Sequence, residues 1–321
     1  MTQLHGVNPQ AVIDMLKDRA GRGERVGGRK LALLVEGGGM RGVCSAGGLV
    51  ALDALGLKFA FDQIYATSAG AMNVAYMLSG QAVFGIQIYY KEINNSRFIN
   101  YWRLPKVVDV DYIFDQVVTR IRPLDTKTIL EAPCKFYISV FDKDRAITEV
   151  LNAADFPDEI LELLKATTAL PVVYNRAVRI GARKFIDGGL SCPVPLAHAI
   201  QNGCTDLLIF LTRPASYESP DPEWWERQLF SLMCSRGNAA LRRVFEHSHH
   251  DSNQCRKTCL GLIPTPRPVN IATFCPAESE GALTRLTKDP QILKDSAVAM
   301  ALRTLREFGG SPDLVDDLIQ T

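Results

Sequence analysis

Two apolar runs, each cut off by small residues and each followed by a helical pattern, organise this chain. The first, Leu31-Ala32-Leu33-Leu34-Val35, is nearly continuous, which suits a strand buried on both faces of a parallel sheet. It passes through Glu36 into Gly37-Gly38-Gly39-Met40-Arg41-Gly42, and the spacing then predicts a helix over 43–55. The second strand is predicted over 61–67. It ends in Ala66-Thr67-Ser68-Ala69-Gly70, and a helix of small residues follows over 69–79.

The flanking pattern continues the alternation. A helix is predicted over 8–20, with Asn8 as its cap, Pro9 at its first position, and Val12, Ile13 and Leu16 on one face. Residues 17–30 turn Gly- and Arg-rich (Lys17, Arg19, Arg22, Arg25, Arg29, Lys30), reading as a solvated linker or as a basic arm for anionic headgroups. Helices are expected over 83–92 and 112–121, and a strand over 135–141 with a hairpin partner at 146–150. A helix over 157–167 precedes a short strand, 183–186, that runs into Asp187-Gly188-Gly189. Helix 195–202 stops at Gly203, and 206–211 is a third buried strand. Beyond Pro214 the pattern gives one long helix over 222–246, a strand over 269–274 and a last helix over 290–308. Strands alternating with helices define an α/β protein with a mostly parallel central sheet flanked by helices. The expected organisation is an N-terminal helix and basic linker (1–30), a core domain (31–214), and a C-terminal helical extension with one added strand, packed on the core (215–321).

Composition narrows the function classes. The 321 residues are 47% hydrophobic and carry a net charge of +1, so no global field favours nucleic acid. No apolar run reaches the roughly 18 to 20 residues that a spanning helix needs. The polar N-terminus lacks a signal-peptide pattern, so a cytoplasmic protein is expected, and its eight cysteines are expected to be free thiols.

The candidate chemistry lies at the strand ends. A glycine loop opening a helix presents backbone N–H groups without partners, at the positive end of the helix dipole. The same loop fits a dinucleotide fingerprint, but the second strand ends at Thr67-Ser68 with no acidic residue for a ribose. Ser68 reads either as a helix cap or, beside that loop, as a nucleophile on a sharp strand-to-helix turn, with Gly38, Gly39 and Met40 as oxyanion donors. Arg41 either braces the loop or meets an anionic headgroup. None of the five histidines stands out as a base. His247, His249 and His250 with Cys255 and Cys259 match no zinc spacing, so no metal and no cofactor are expected. Asp187, followed by two glycines, reads as a plain turn or as a projecting base.

Taken in order, Gly37 to Gly42, the stretch around Ser68, Ala166-Thr167-Thr168-Ala169-Leu170-Pro171 and Asp187-Gly188-Gly189 resemble the patatin-like phospholipase family, bacterial cytosolic members above all, over about 31–214. The resemblance implies a three-layer α/β/α fold and a serine acyl hydrolase that cleaves lipid esters, of the phospholipase A or lysophospholipase kind. In it Ser68 is the nucleophile, Asp187 the base, and Gly38, Gly39 and Met40 the oxyanion hole. Gly37, Arg41, Gly42, Ala66, Gly70, Gly188 and Gly189 support the motifs. Ala66 stands where the family's elbow usually has glycine. Asp187 is expected to be partly desolvated and within hydrogen-bond reach of Ser68. The implied partner is a lipid ester, reached by peripheral membrane contact for which Trp224, Trp225 and Phe230 are candidates. Met72, Tyr76, Met77, Phe84, Ile88, Tyr101 and Trp102 are candidates for an acyl slot. The alternatives are a non-catalytic lipid or acyl-chain binder on the same fold and a nucleotide-binding enzyme using the glycine loop.

Overall fold

The central strand β1 (Leu31–Val35) is buried throughout, and its side chains divide between two cores. Leu31, Leu33 and Val35 face one cluster and Ala32 and Leu34 the other, as period-two alternation requires. The computed structural model describes residues 4–22, 28–103, 106–174, 176–235, 237–280 and 283–315.

Before β1 comes α1 (Pro9–Arg22), which buries Val12, Ile13 and Leu16. After β1 a helical turn, Gly39–Arg41, leads into α2 (Gly42–Ala54). Then follow β2 (Gln63–Thr67), α3 (Ala69–Leu78) and α4 (Ala82–Gln87), the last running on as a π-helical turn, Ile88–Glu92. The short α5 (Val110–Tyr112) likewise widens into a π-helix, Ile113–Ile121, and α6 (Thr126–Leu130) precedes β3 (Lys135–Asp142) and β4 (Ile147–Asn152). Next are α7 (Ile160–Thr168), β5 (Val178–Ile180), β6 (Arg183–Asp187), α8 (Leu196–Gln201) and β7 (Asp206–Phe210). The chain then adds α9 (Trp224–Phe230), α10 (Ala239–Cys259), β8 (Asn270–Phe274) and α11 (Pro290–Phe308).

The eight strands form one sheet in the order β5-β6-β3-β2-β1-β7-β8, with β4 paired to the free edge of β3. The five strands β3, β2, β1, β7 and β8 are parallel; β4, β5 and β6 are antiparallel additions. Helices α1, α2, α3, α7 and α11 cover one face, where α11 packs along α2. Helix α8 and the end of α10 cover the other. The architecture is a three-layer α/β/α sandwich. Residues beyond 214 contribute to it directly, β8 by pairing with β7 and α11 by packing on α2.

Three expectations differ from the structure. The single helix over 222–246 is instead α9 with a π-helical turn, Ser231–Ser235, and a separate α10. Gly237 adopts φ +91° and Asn238 caps the new helix by accepting the Leu241 N–H, so the chain restarts there. The three-residue β5 escaped the pattern because it pairs only across the Gly181 turn with β6. Arg19 and Arg29 belong to no solvated linker. Arg19 is buried against Asp62 and the Ala60 carbonyl, and Arg29 clamps Asp206 at the start of β7. The middle of that basic stretch, with Arg25, lies outside the described residues.

Candidate active site

The sheet register brings Ser68 and Asp187 together. Along one edge of β3, β2 ends with Thr67 opposite Ser139, while β6 enters from the other direction and ends with Asp187 opposite Val140. The residues that follow these two strand ends therefore face each other over β3. Ser68 sits in the turn between β2 and α3 at φ 56°, ψ −133°, a conformation that costs a non-glycine residue about 1–3 kcal/mol. Its N–H donates to Thr167 Oγ1 (2.8 Å), and Thr167 Oγ1 in turn donates to the Ser139 carbonyl (2.6 Å). These bonds hold the strained turn. The methyl of Ala66 lies within the main apolar core, so alanine at this position is compatible with the turn that Ser68 makes.

The Ser68 hydroxyl donates to Asp187 Oδ2 at 2.6 Å, with the two residues 5% and 1% exposed. The Gly189 N–H donates to the other carboxylate oxygen at 2.7 Å. Burial pushes the Asp187 carboxyl up to about 6, against the opposing pull of the Ser68 hydroxyl, the Gly189 N–H and the Arg285 charge. That is the protonation balance of a group able to take and return a proton near neutral pH.

The glycine loop lies against this pair. A methyl on Gly37 would stand 2.5 Å from Ser68 Cβ and 2.6 Å from the Thr67 carbonyl, so only glycine permits the approach. Gly39 has φ +59°. Among the described residues no hydrogen bond engages the Gly38 or Gly39 N–H. The Met40 N–H differs from its two neighbours: it donates to the Arg285 carbonyl at 3.1 Å. Arg41 is buried. Burial, then the charges of Arg285 and Arg213, pull its pKa down to about 9. Its Nε and Nη1 have no hydrogen-bond partner among the described residues. Behind the loop, Asn73 on α3 donates to the Gly42 carbonyl (2.8 Å) and Ser45 Oγ (3.1 Å) and accepts from Tyr89 (2.9 Å), tying α2 to α3. Gly42 and Gly70 sit in the same packed layer: a methyl on Gly42 would meet Tyr89 Oη at 2.6 Å, and one on Gly70 the Val35 carbonyl at 2.7 Å. Gly188 is pressed on the Ser139 carbonyl in the same way.

An apolar cavity of about 70 Å³ opens beside Ser68. Met72, Tyr76 and Ile88 line it together with Tyr89, Phe98 and Val110. The π-helical segments Ile88–Glu92 and Ile113–Ile121 reach it, through Ile88 and Ile113, and such wide turns recur at functional sites. The other slot candidates are elsewhere: Met77 is fully buried, Phe84 lies beneath the Arg122 guanidinium, and Tyr101 and Trp102 face solvent. Thr167, Asn73 and Arg285 had no assigned role in the sequence reading. The Thr-Thr segment was visible as a motif, but nothing local marks the other two.

The remaining candidates separate. Phe230 is fully buried and stacks on Phe245 with ring centroids 4.0 Å apart, so it belongs to a core and not to a membrane face. Trp224 and Trp225 are exposed, as is Leu232 in the following turn. His249 pairs with Asp221 on the surface. Among the described residues no group of three or more His, Cys, Asp or Glu is arranged to hold a metal ion, and no helix is long and apolar enough to cross a membrane. All eight cysteines are present as thiols.

The chain is thus a three-layer α/β/α sandwich that holds a serine on a strained strand-to-helix turn, a buried aspartate and a glycine loop side by side. The sequence profile described as Patatin-like phospholipase matches residues 33–200, and the chain belongs to that family of lipid acyl hydrolases. It is 24% identical over 273 residues to the Escherichia coli (strain K12) protein called "Uncharacterized protein YjjU", covering 83% of this chain and 74% of that one. Among solved structures, that of VipD from Legionella pneumophila aligns over 88% of this chain and 67% of its own, with a TM-score of 0.42 at 10% identity.

Proposed function

We propose that the chain is a carboxylic ester hydrolase that cleaves lipid esters through a Ser68–Asp187 dyad. The observation that carries this reading is the 2.6 Å hydrogen bond from Ser68 Oγ to a buried carboxylate, made beside an apolar cavity and two unengaged amides. Ser68 Oγ attacks the ester carbonyl carbon while its proton passes to Asp187 Oδ2. The carbonyl oxygen becomes an oxyanion, held by the Gly38 and Gly39 N–H groups. One such donor is worth about 100- to 1000-fold in rate. The tetrahedral species collapses, the C–O bond to the alcohol breaks, and Asp187 returns the proton to the departing oxygen. Water then attacks the acyl-enzyme, giving its proton to Asp187, and the fatty acid leaves as the proton goes back to Ser68. The apolar cavity takes the acyl chain. Trp224, Trp225 and Leu232 supply an interfacial patch through which the protein meets a lipid surface without crossing it.

The test is hydrolysis of p-nitrophenyl butyrate and of mixed phospholipid vesicles by wild type, Ser68→Ala and Asp187→Asn, with fluorophosphonate labelling read by intact mass. Activity in wild type that both variants lose, with the label on Ser68, is the expected result. Activity that survives Ser68→Ala overturns the dyad. A wild type that takes no label and cleaves neither ester shifts the reading to a lipid binder on the same fold.

A further inference from the structure

Three arginines, Arg41, Arg213 and Arg285, lie at or close to the glycine loop, and two of them come from outside the 33–200 match. The turn that follows Leu283 is fixed in place. Leu283 is buried in the main core with Leu286 packed against it, and Thr284 and Thr287 hydrogen-bond each other across the turn. Its Arg285 carbonyl takes the Met40 N–H at 3.1 Å, and a methyl on Gly39 would lie 3.4 Å from Arg285 Cβ. Arg285 is thus anchored by its backbone to the oxyanion turn, while its side chain is exposed.

Two further guanidinium groups stand nearby. Arg41 is buried with Nε and Nη1 unpartnered among the described residues, and Arg213, stacked on Tyr217 at 4.3 Å, has a buried Nε in the same condition. The adjacent carboxylate, Glu36, is already engaged. It accepts from the Thr212 N–H and hydroxyl and lies 3.6 Å from Arg256 Nη1. Arg285 and Arg213 both act on Arg41 as like charges, and Arg285 also acts on Asp187. The acyl cavity is lined mostly by apolar side chains, with no charged residue among them, and is a poor place for an ionised group.

We propose that Arg285, together with Arg213, selects esters whose alcohol portion bears a negative charge, phosphate or carboxylate, over neutral esters of the same acyl chain. This rests on the ester-hydrolase reading of Ser68. Arg285 acts here on substrate choice, as a specificity-determining residue supplied by the C-terminal extension.

The experiment compares kcat/KM on lauroyl lysophosphatidate, O-lauroyl glycolate and monolauroylglycerol for wild type, Arg285→Gln, Arg285→Lys and Arg213→Gln. Wild type is expected to prefer an anionic ester by about 10- to 100-fold, the worth of a charge-assisted hydrogen bond or two. Preference for the phosphate alone or for both anions tells a headgroup phosphate from a general anion. In Arg285→Gln the ratio falls toward one through a higher KM, and Arg285→Lys restores most of it. A ratio unchanged in Arg285→Gln overturns the proposal, as does equal damage by Gln and Lys. Calorimetric binding of the same compounds to Ser68→Ala separates this from catalysis. An anionic preference there that Arg285→Gln abolishes upholds the selectivity even where wild type turns over no ester. Equal binding of charged and neutral compounds overturns it whatever the activity.

Discussion

Thr167 Oγ1 accepts the backbone N–H of Ser68 at 2.8 Å, across 99 residues of sequence, and passes its own proton to the Ser139 carbonyl at 2.6 Å. One hydroxyl therefore satisfies two backbone groups, the Ser68 N–H in the turn after β2 and the Ser139 carbonyl of β3, where the chain takes up a strained conformation. Thr167→Val keeps the shape and removes the hydroxyl, leaving a buried N–H and C=O without partners. The expected cost is about 1–3 kcal/mol, read as a shift in urea midpoint. Ester hydrolysis should fall further than stability accounts for, because Ser68 loses its fixed orientation. Thr167→Ser should recover most of both.

The Asp187 carboxyl titrates at about 6 because burial outweighs its hydrogen bonds. A base must be ionised to accept the Ser68 proton, so kcat/KM on a soluble ester should rise with pH through an apparent pKa near 6. Arg285 holds that value down, and Arg285→Gln should move the rising limb to higher pH. The stability effect has the opposite sign. The folded state keeps the proton between the ordinary value of 3.8 and about 6, where the unfolded chain has lost it, so this group's contribution to stability declines as pH rises through that window. Asp187→Asn should accordingly gain on wild type in thermal midpoint on going from pH 4 to pH 8. A constant difference would mean that Asp187 is ionised throughout.

The strand ends were legible because their chemistry is local. Gly37, Ser68, Gly70 and Gly188 are small since a neighbouring backbone or side chain stands 2.5–2.8 Å from any added methyl, or, at Ser68, since the turn is sharp; the sequence carries that as runs of Gly, Ala and Ser. Apolar runs gave β1, β2 and β7, and alternation gave β3, nearly to the residue. Other features depend on tertiary partners. Thr167 and Asn73 are ordinary polar residues until α7 and α3 bring them to the turn. Arg285 acquires its place only because α11 packs along α2 and carries the preceding loop to Gly39. Arg19 and Arg29 read as solvated because no local signal reveals Asp62 and Asp206 as partners.

Ala66 tests whether the elbow needs glycine two residues before the nucleophile. Its methyl is fully buried among apolar neighbours at the end of β2. Ala66→Gly should therefore cost about 1–2 kcal/mol, from one lost buried methyl and the added backbone freedom of glycine, with no gain in ester hydrolysis. A variant that is both as stable and faster would show that the methyl strains the turn. Paired chemical denaturation and initial-rate measurements decide it.

The cavity beside Ser68 encloses about 70 Å³, half the roughly 150 Å³ of an apolar cavity that admits one benzene ring. Its walls include side chains of α3 and of the π-helical segments Ile88–Glu92 and Ile113–Ile121, so an acyl chain of more than a few carbons must displace them. On soluble p-nitrophenyl esters the wild type should favour acetate and butyrate over decanoate. Ile88 stands in the wall and is nearly buried, which makes it the position that sets the depth. Ile88→Phe should reduce butyrate relative to acetate about tenfold, since overfilling a packed site costs about 1–3 kcal/mol. Ile88→Ala should move the optimum to longer chains while losing about 2–5 kcal/mol of stability. A chain-length profile identical in all three proteins would place the acyl chain outside this cavity, and the wall of α3 and α4 would then be core alone.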